Sequence, residues 1–354
     1  MTATNSTAGV ELAPEAPGWR EVIAPYNRPH LARSILGLAT SIVPYLVLSV
    51  LMYLALDVSY WLVLALAVPT AGFLVRTYIV FHDCAHGSYF ASKAANTWVG
   101  RFSALLVFTP FARWRHQHAV HHATSGDLER RGTGDVPTYT VAEYRAMAPK
   151  QQLGYRLFRN PLVMFTIGPI YSMIIGPRWI SGEVRPRIRH SVWLTNIVLL
   201  VVIAGLCVLI GPVDYLLIQF PTALLAGAAG VWLFYVQHQF EDAYWEDSGQ
   251  WSYADAALRG SSYLNLPKVL QFFSGNIGLH HVHHLSARVP NYNLQRAHDE
   301  NEIFHDVPTL SLWDGLRAVR LKLWDEDSGR MVGFDAADDG PSGAVTAASE
   351  PSPG

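Results

Sequence analysis

"ILGLATSIVPYLVLSVLMYLAL" (residues 35–56) is followed by the link "DVSY" (57–60) and by a second apolar run over residues 60–81. A helix needs about 20 apolar residues to cross a bilayer, and both runs are long enough. A second pair of runs, 191–210 and 213–236, is joined by "GPVD". Because both links are so short, the sequence predicts two helical hairpins that span a membrane.

The composition also indicates a membrane protein. Half of the 354 residues are hydrophobic, the mean hydropathy is +0.16 and only 15% of the residues are charged, against about 25% in a typical soluble domain. A net charge of −2 gives no basic surplus for binding nucleic acid. Cys84 and Cys207 form no Cys-x-x-Cys motif, which argues against an iron–sulfur cluster, a cysteine-rich zinc site and a disulfide framework.

The distribution of Lys and Arg predicts the orientation. Residues 82–190 contain 14 of them and the two hairpin links contain none, so the positive-inside rule places residues 82–190 in the cytoplasm. Two shorter apolar stretches, 98–112 and 161–176, contain prolines, and we expect them to be re-entrant or interfacial. With four crossings, both ends of the chain stay on the cytoplasmic side of the cell membrane.

We therefore expect an all-α integral membrane fold, with four transmembrane helices in two hairpins and a cytoplasmic helical cap. Residues 1–33 form a polar N-terminal cytoplasmic segment without the apolar core of a cleavable signal peptide. Residues 34–324 form the membrane domain. Residues 325–354 are rich in Asp, Gly, Ala, Ser and Pro, which predicts a disordered tail.

Three clusters contain most of the 15 histidines: "HDCAH" (82–86), "HQHAVHH" (116–122) and "HHVHH" (280–284). Residues three and four apart share one face of a helix. The spacing therefore predicts three helices that direct eight imidazoles inward, from His82, His86, His118, His121, His122, His280, His283 and His284. His116 and His281 fall outside these faces, and we expect His281 to be a hydrogen-bonding neighbour of the site.

Neutral imidazoles are good ligands for iron, zinc, copper and nickel. Eight are too many for one four-coordinate zinc ion and suit two metals with open positions, of which a pair of irons that binds dioxygen is the natural interpretation. His238, where the fourth span ends, is a ninth candidate that we expect to reach the first cluster. Carboxylates should orient the rings, and the candidates are Asp83, Asp127, Asp135, Glu241 and Asp242. The isolated His30, His190, His298 and His305 are expected to be structural.

The histidine clusters resemble the three histidine boxes of membrane fatty acid desaturases. The resemblance covers about residues 30–325 and is greatest to the bacterial omega-6 (delta-12) acyl-lipid branch. Beyond the boxes "HDCAHGS" (82–88), "HAVHH" (118–122) and "HHVHH", it is carried by "HHATSGDLERRGTGD" (121–135), "FYVQHQFEDAYW" (234–245) and "GNIGLHHVHHLSARVPNYNL" (275–294). Box one has three intervening residues rather than the four of the stearoyl type, which favours the acyl-lipid branch.

The resemblance implies two iron ions (Fe2+/Fe3+) held by the eight box histidines and His238, with O2 as co-substrate. It implies an enzyme that introduces a cis double bond into a membrane-associated acyl chain. Stearoyl-type members have an Asn four positions before the ninth histidine; here that residue is Phe234, and Asn276 is a candidate substitute. We expect the acyl chain to come from the membrane side, past Phe81, Tyr89, Trp114 and Phe273, which are equally typical of membrane interfaces.

Removing two hydrogens from an unactivated acyl chain requires electrons from a separate donor. The chain has no His-Pro-Gly-Gly of a fused cytochrome b5, so ferredoxin is the expected donor in a bacterial setting. Arg130, Arg131 and "RPRIR" (185–189) are candidate docking residues, although they also serve as the positive-inside signal.

Two other functions are compatible with parts of the pattern. A di-iron membrane hydroxylase or ketolase of alkyl or carotenoid substrates would use the same ligands. A histidine-rich metal transporter would need ionisable residues along a path through the spans, which contain almost none. The acyl carrier, whether lipid, CoA or acyl carrier protein, stays open.

Overall fold

The computed structural model describes residues 18–180 and 182–338. Within those ranges, four helices are long and apolar enough to cross a membrane: Leu31–Ala55, Tyr60–His86, Pro186–Ile210 and Pro212–His238. They coincide with the four predicted runs. The second and fourth helices continue past the predicted apolar ends, so that His82, His86 and His238 lie on the last turns of membrane-length helices.

The first hairpin follows a short N-terminal element. Helix α1 (Trp19–Ile23) and a 3-10 turn (Ala24–Asn27) precede α2 (Leu31–Ala55) and α3 (Tyr60–His86). Side chains of Ile23 and Tyr26 are buried in the main core. The polar segment predicted over residues 1–33 is thus folded against the protein from residue 19, and residues 1–17 lie outside the described part.

Short helices fill the connection between the hairpins. None approaches the length of a span, as predicted for 98–112 and 161–176. They are α4 (Lys93–Leu106), α5 (Phe111–Thr124), α6 (Val141–Ala146), α7 (Pro149–Phe158), α8 (Pro161–Phe165) and α9 (Ile167–Pro169), with strand β1 (Tyr139–Thr140) before α6 and a π-helical turn (Ile170–Ile175) and a 3-10 turn (Gly176–Arg178) after α9.

The second hairpin consists of α10 (Pro186–Ile210) and α11 (Pro212–His238). Most side chains of α10 are exposed, including Val208 at 89% and Leu209 at 77%. Such a surface is unfavourable in water and suits a helix surrounded by lipid. On α11, Gly227 permits the close approach of α9, because a Cβ on residue 227 would lie only 2.7 Å from Pro169 Cβ.

The C-terminal part completes the cap above the hairpin ends. Its helices are α12 (Tyr253–Arg259), α13 (Lys268–Phe273), α14 (His280–Leu285), α15 (Asn291–Asp299), α16 (Leu312–Ala318) and α17 (Asp335–Asp338), with a 3-10 turn at Glu302–Phe304. Its strands are β2 (Tyr263–Asn265), β3 (Thr309–Ser311), β4 (Leu323–Asp325) and β5 (Arg330–Val332).

Two small sheets qualify the all-α prediction. Strands β2 and β3 pair in parallel, with Tyr263 opposite Thr309. Strand β4 lies between β1, to which it is parallel, and β5, to which it is antiparallel. The fold remains mainly helical, because each strand is only two or three residues long.

The prediction of a disordered tail from residue 325 is wrong for its first part. Strand β5 and α17 lie within residues 325–338. Trp324 and Met331 are buried with Phe240 and Trp245 in a small apolar cluster, which explains why this polar stretch is ordered. Residues 339–354 lie outside the described residues.

Candidate metal centre

The nine histidines predicted as ligands come together where α3, α5, α11 and α14 meet. They form two groups, in each of which one nitrogen per residue lies within 4.8 Å of all the others. The first group contains His82, His86, His118, His122 and His283; the second contains His121, His238, His280 and His284.

In the first group the ring nitrogens face one another directly. His118 Nε2 lies 3.0 Å from His82 Nε2 and 3.1 Å from His122 Nε2. His122 Nε2 in turn lies 3.0 Å from His283 Nε2. Box one on α3, box two on α5 and box three on α14 therefore all contribute to one point.

The second group is built around His238. Its Nε2 lies 2.9 Å from His280 Nε2 and 3.2 Å from His121 Nε2. The expectation that His238 reaches the first cluster, which contains His82 and His86, is thus wrong. At the end of α11, His238 instead faces His121 of box two and His280 of box three. The two groups adjoin, because the rings of His122 and His284 stack with centroids 4.1 Å apart.

These separations fit metal ligands. Two imidazole nitrogens that bind one ion at about 2.1 Å, at a right angle, lie about 3.0 Å apart. As hydrogen bonds alone, the arrangement leaves donors and acceptors unmatched: among the described atoms, His86 Nε2 and His284 Nε2 are buried without a partner. A buried polar atom without a partner is costly, and a cation at the centre of each group would satisfy it.

Burial keeps five of these imidazoles neutral. Desolvation, followed by the neighbouring histidines, lowers the pKa of His118, His122 and His280 well below the ordinary value of 6.5. The pKa values of His283 and His284 are lowered in the same way, again mainly by desolvation. The neutral ring is the form that binds a metal, so the site is ready to bind metal near neutral pH.

Two predicted carboxylates hold ligand rings in place. His82 Nδ1 lies 3.0 Å from Asp83 Oδ1, and His121 Nδ1 makes a short contact with Asp135 Oδ1. In both residues the contact leaves Nε2 to face its histidine group, as metal-binding histidines usually require. His238 Nδ1 is held by the Gly260 carbonyl at 3.1 Å.

The other three predicted carboxylates do not contact the histidines. Asp127 accepts from Ser248 Oγ at 2.7 Å and pairs with Arg130. Glu241 and Asp242 are exposed beside Arg330 on β5, a strand that the sequence did not reveal.

The remaining histidines separate as predicted, with one addition. His116 is exposed on the outer face of α5. His281 is buried, faces away from both groups, and has its Nε2 3.1 Å from His298 Nδ1. His298, expected to have no companion, is therefore the partner of His281, while His30 and His190 join neither group.

The predicted tunnel residues occupy different positions. Trp114 stacks on His118 with centroids 4.3 Å apart and packs against Phe81 at 4.9 Å, beneath the first group. Tyr89 and Phe273 pack elsewhere, against Tyr292 and Phe73 respectively. Phe234 lies 5.1 Å from His121 between ring centroids, so its ring covers the second group.

Two residues that support the site had no signal in the sequence. Asn291 donates to Asp83 Oδ2 through its backbone nitrogen at 2.7 Å and through its amide at 2.9 Å. Asn276, the candidate substitute, donates to the Asn291 carbonyl at 3.2 Å. Arg159 is buried and donates to Pro137 O, Tyr235 Oη and Gln239 Oε1, which ties the ends of α7 and α11 together. Asn291 and Arg159 are single polar residues that lie outside any repeated spacing, so no sequence pattern pointed to them.

Together, the fold and the site define a membrane protein with a buried polyhistidine centre that can hold metal. Comparison with known proteins agrees. The sequence signature of the fatty acid desaturase family matches residues 59–310. The chain is 46% identical over 314 residues to a fatty acid desaturase of Bacillus subtilis, which covers 89% of each chain. This protein belongs to the fatty acid desaturase family.

More distant relatives have more specific names. The chain is 26% identical over 242 residues to an sn-1 oleoyl-lipid 12-desaturase of Synechocystis, covering 64% of each chain. It is 28% identical over 237 residues to an sn-1 acyl-lipid omega-3 desaturase (ferredoxin) of the same organism, covering 62% of each chain. Membership of the family makes the protein an oxidoreductase that acts on fatty acyl chains.

Proposed function

We propose that this protein is an oxygen-dependent acyl-lipid desaturase that holds two irons, one in each histidine group. The observation that carries the proposal is the convergence of nine imidazoles into two adjoining groups at the ends of membrane-length helices. His82, His86, His118, His122 and His283 hold one iron, and His121, His238, His280 and His284 hold the other.

The reaction is a balanced oxidation. An acyl –CH2–CH2– unit, O2, two electrons and two protons give –CH=CH– and two molecules of water. The irons supply the O2 activation that no side chain can provide. The protein fixes three ligand rings through Asp83, Asp135 and Gly260, and excludes water through the aromatic rings of Trp114 and Phe234.

An acyl chain suits the membrane side of the centre. An apolar pocket opens between α3, α11 and the π-helical turn Ile170–Ile175. Its walls include Leu74, Val107, Met173, Phe220 and Leu224. Leu74 lies eight residues before His82, which is about 12 Å along a helix. A chain from the surrounding bilayer can reach this pocket without crossing water, which favours a lipid-bound acyl substrate.

The position of the new double bond is the finer part of the proposal. We infer an omega-6 (delta-12) cis bond from the resemblance and from relatives such as the 12-desaturase of Synechocystis. The more similar Bacillus relative carries no position in its name. Regiochemistry therefore has to be measured on this chain.

The donor and the orientation complete the proposal. The relative named for ferredoxin supports a ferredoxin donor here. The 14 Lys and Arg of residues 82–190 support a cytoplasmic centre in the cell membrane, where such a donor is found.

Expression in a bacterial host whose lipids are only saturated and monounsaturated, together with ferredoxin and its reductase, tests the function. Gas chromatography with mass spectrometry should find a diene with its second bond at the omega-6 position, and none with the His283→Ala variant. A new bond elsewhere would contradict only the regiochemistry. A hydroxylated or keto product would favour the oxygenase alternative, and unchanged lipids in cells that contain iron-loaded protein would overturn the proposal.

A further inference from the structure

The histidine centre comes near the surface at His86, at the end of α3. Seven of the nine candidate ligands are buried, whereas His86 and His122, both of the first group, are partly exposed. The next residue, Gly87, is exposed, and a Cβ placed on it would meet no atom within 4 Å. The end of α3 therefore leaves open space beside a ligand of the first group.

The chain segment that contains this opening is basic. Residues 84–126 contain Lys93, Arg101, Arg113 and Arg115 and not one Asp or Glu. Arg115 is exposed and lies close enough to His86 to act on it electrostatically. It is seven residues before His122 on α5 and therefore on the same helix face. No residue in the described ranges forms an ion pair with Arg115.

A second basic segment lies beside the first. Ala112 N of α5 donates to Ser191 Oγ of α10 at 3.1 Å, which joins the starts of these two helices. Arg187 precedes Ser191 by one helical turn and is exposed, as are Arg185 and Arg189. One carboxylate, Glu183, is nearby in sequence. By contrast, Arg130 is paired with Asp127 and Arg131 with Glu143, so these two predicted docking residues carry little free charge.

We propose that the surface formed by Gly87, Arg115 and Arg185–Arg189 binds an acidic iron–sulfur protein, and that its electrons reach the centre through His86. This inference rests on the proposed function, which requires two electrons for each double bond. Because such a carrier delivers one electron at a time, it has to dock twice in each turnover. A pairing of acidic and basic surfaces accelerates such encounters and makes them sensitive to salt.

The test compares Arg115→Glu with Arg320→Glu, which makes the same change of charge. Arg320 is equally exposed and follows α16, which packs against α11 and the sheet of β2 and β3. The affinity of the iron-loaded protein in detergent for an acidic [2Fe–2S] ferredoxin is measured against salt concentration. The rate of iron reduction by reduced ferredoxin is then divided by the rate with dithionite, which needs no docking surface.

Arg115→Glu should weaken ferredoxin binding about tenfold at low salt, flatten its salt dependence and lower the rate ratio to a similar extent. Arg320→Glu should change each by less than about twofold. Equal effects of the two substitutions, or no effect of Arg115→Glu, would overturn the inference. A wild-type protein that makes the diene with another donor but does not bind ferredoxin would overturn it too and leave the desaturase function intact. If the protein makes no diene with any donor, the proposed desaturase function itself is wrong.

Discussion

His121 and His122 are neighbours in the sequence but belong to different histidine groups. His121 Nε2 lies 3.2 Å from His238 Nε2, whereas His122 Nε2 lies 3.0 Å from His283 Nε2. Successive residues on a helix point about 100° apart, so a single turn of α5 reaches both groups. The separation between the two proposed irons is therefore fixed by the rigid backbone of one helix.

This relationship makes the two positions separable by mutation. His121→Ala leaves three histidines in its group, whereas His122→Ala leaves four. His121→Ala should lower bound iron from about two ions per chain to about one, and His122→Ala should retain more. Iron per chain is measured by plasma mass spectrometry on purified protein. The exposed His116→Ala, on the same helix, is the control and should keep the wild-type content; equal iron loss from all three variants would contradict the two-group assignment.

Asp135 should matter through His121 rather than by binding iron itself. Asp135→Asn keeps the size of the side chain but removes the charge that orients the imidazole. Losing such a partner typically weakens metal affinity roughly 10- to 100-fold. Competition with a chelator of known affinity measures the change. The exposed Asp242→Asn is the matched control, and a similar affinity for both variants would show that the Asp135 contact has no functional role.

His281 should behave differently from the histidines on either side of it. Its buried ring contacts His298, and burial, with a smaller contribution from His298, lowers its pKa to about 3. His281→Ala should destabilise the fold by about 1–3 kcal/mol through the lost buried contact, while iron and part of the activity remain. Thermal unfolding and iron content measure both effects. Iron loss as complete as in His283→Ala would make His281 a ligand and disprove this prediction.

Lys322 is a buried cation without a carboxylate partner among the described residues. Its Nζ lies 4.0 Å from Met164 Sδ, and burial, reinforced by Arg159, lowers its pKa from 10.5 to about 7. Between these two values the unfolded chain binds a proton that the folded protein does not. The free energy of unfolding should therefore rise with pH above 7, by up to about 1.4 kcal/mol per pH unit.

Lys322→Met should remove that dependence and stabilise the protein at pH 7. Thermal unfolding in detergent between pH 7 and pH 8.5 measures it, with the exposed Lys268→Met as the control. If wild type and Lys322→Met show the same change with pH, Lys322 is not the group responsible.

The features that could be predicted from the sequence are the local ones. A long apolar run by itself predicts a membrane span, and histidines three and four residues apart predict one face of a helix. The four spans and the eight box histidines could therefore be predicted without tertiary information. The assignment of each histidine to a group did need it. His238 could not be placed, because the position of the end of α11 depends on how α11 packs against α3.

The same limit explains the other differences. Asp83 and Asp135 contact histidines while Asp127 does not, although all three lie near a box in the sequence. The order of residues 325–338 depends on the pairing of β5 with β4, and β4 pairs in turn with β1, which is two residues long and lies far earlier in the chain. Pairing between such short and distant strands leaves no periodic pattern in either segment.

The placement of α14 has a consequence for the order of assembly. Its histidines belong to both groups, so neither metal position is complete until residue 284 has been synthesised and α14 has docked on the hairpin ends. Under the proposed function, iron loading must then follow the insertion of all four spans, and a truncated or half-inserted chain cannot hold the proposed pair of ions. Bound iron in a purified sample would then be a measure of complete folding.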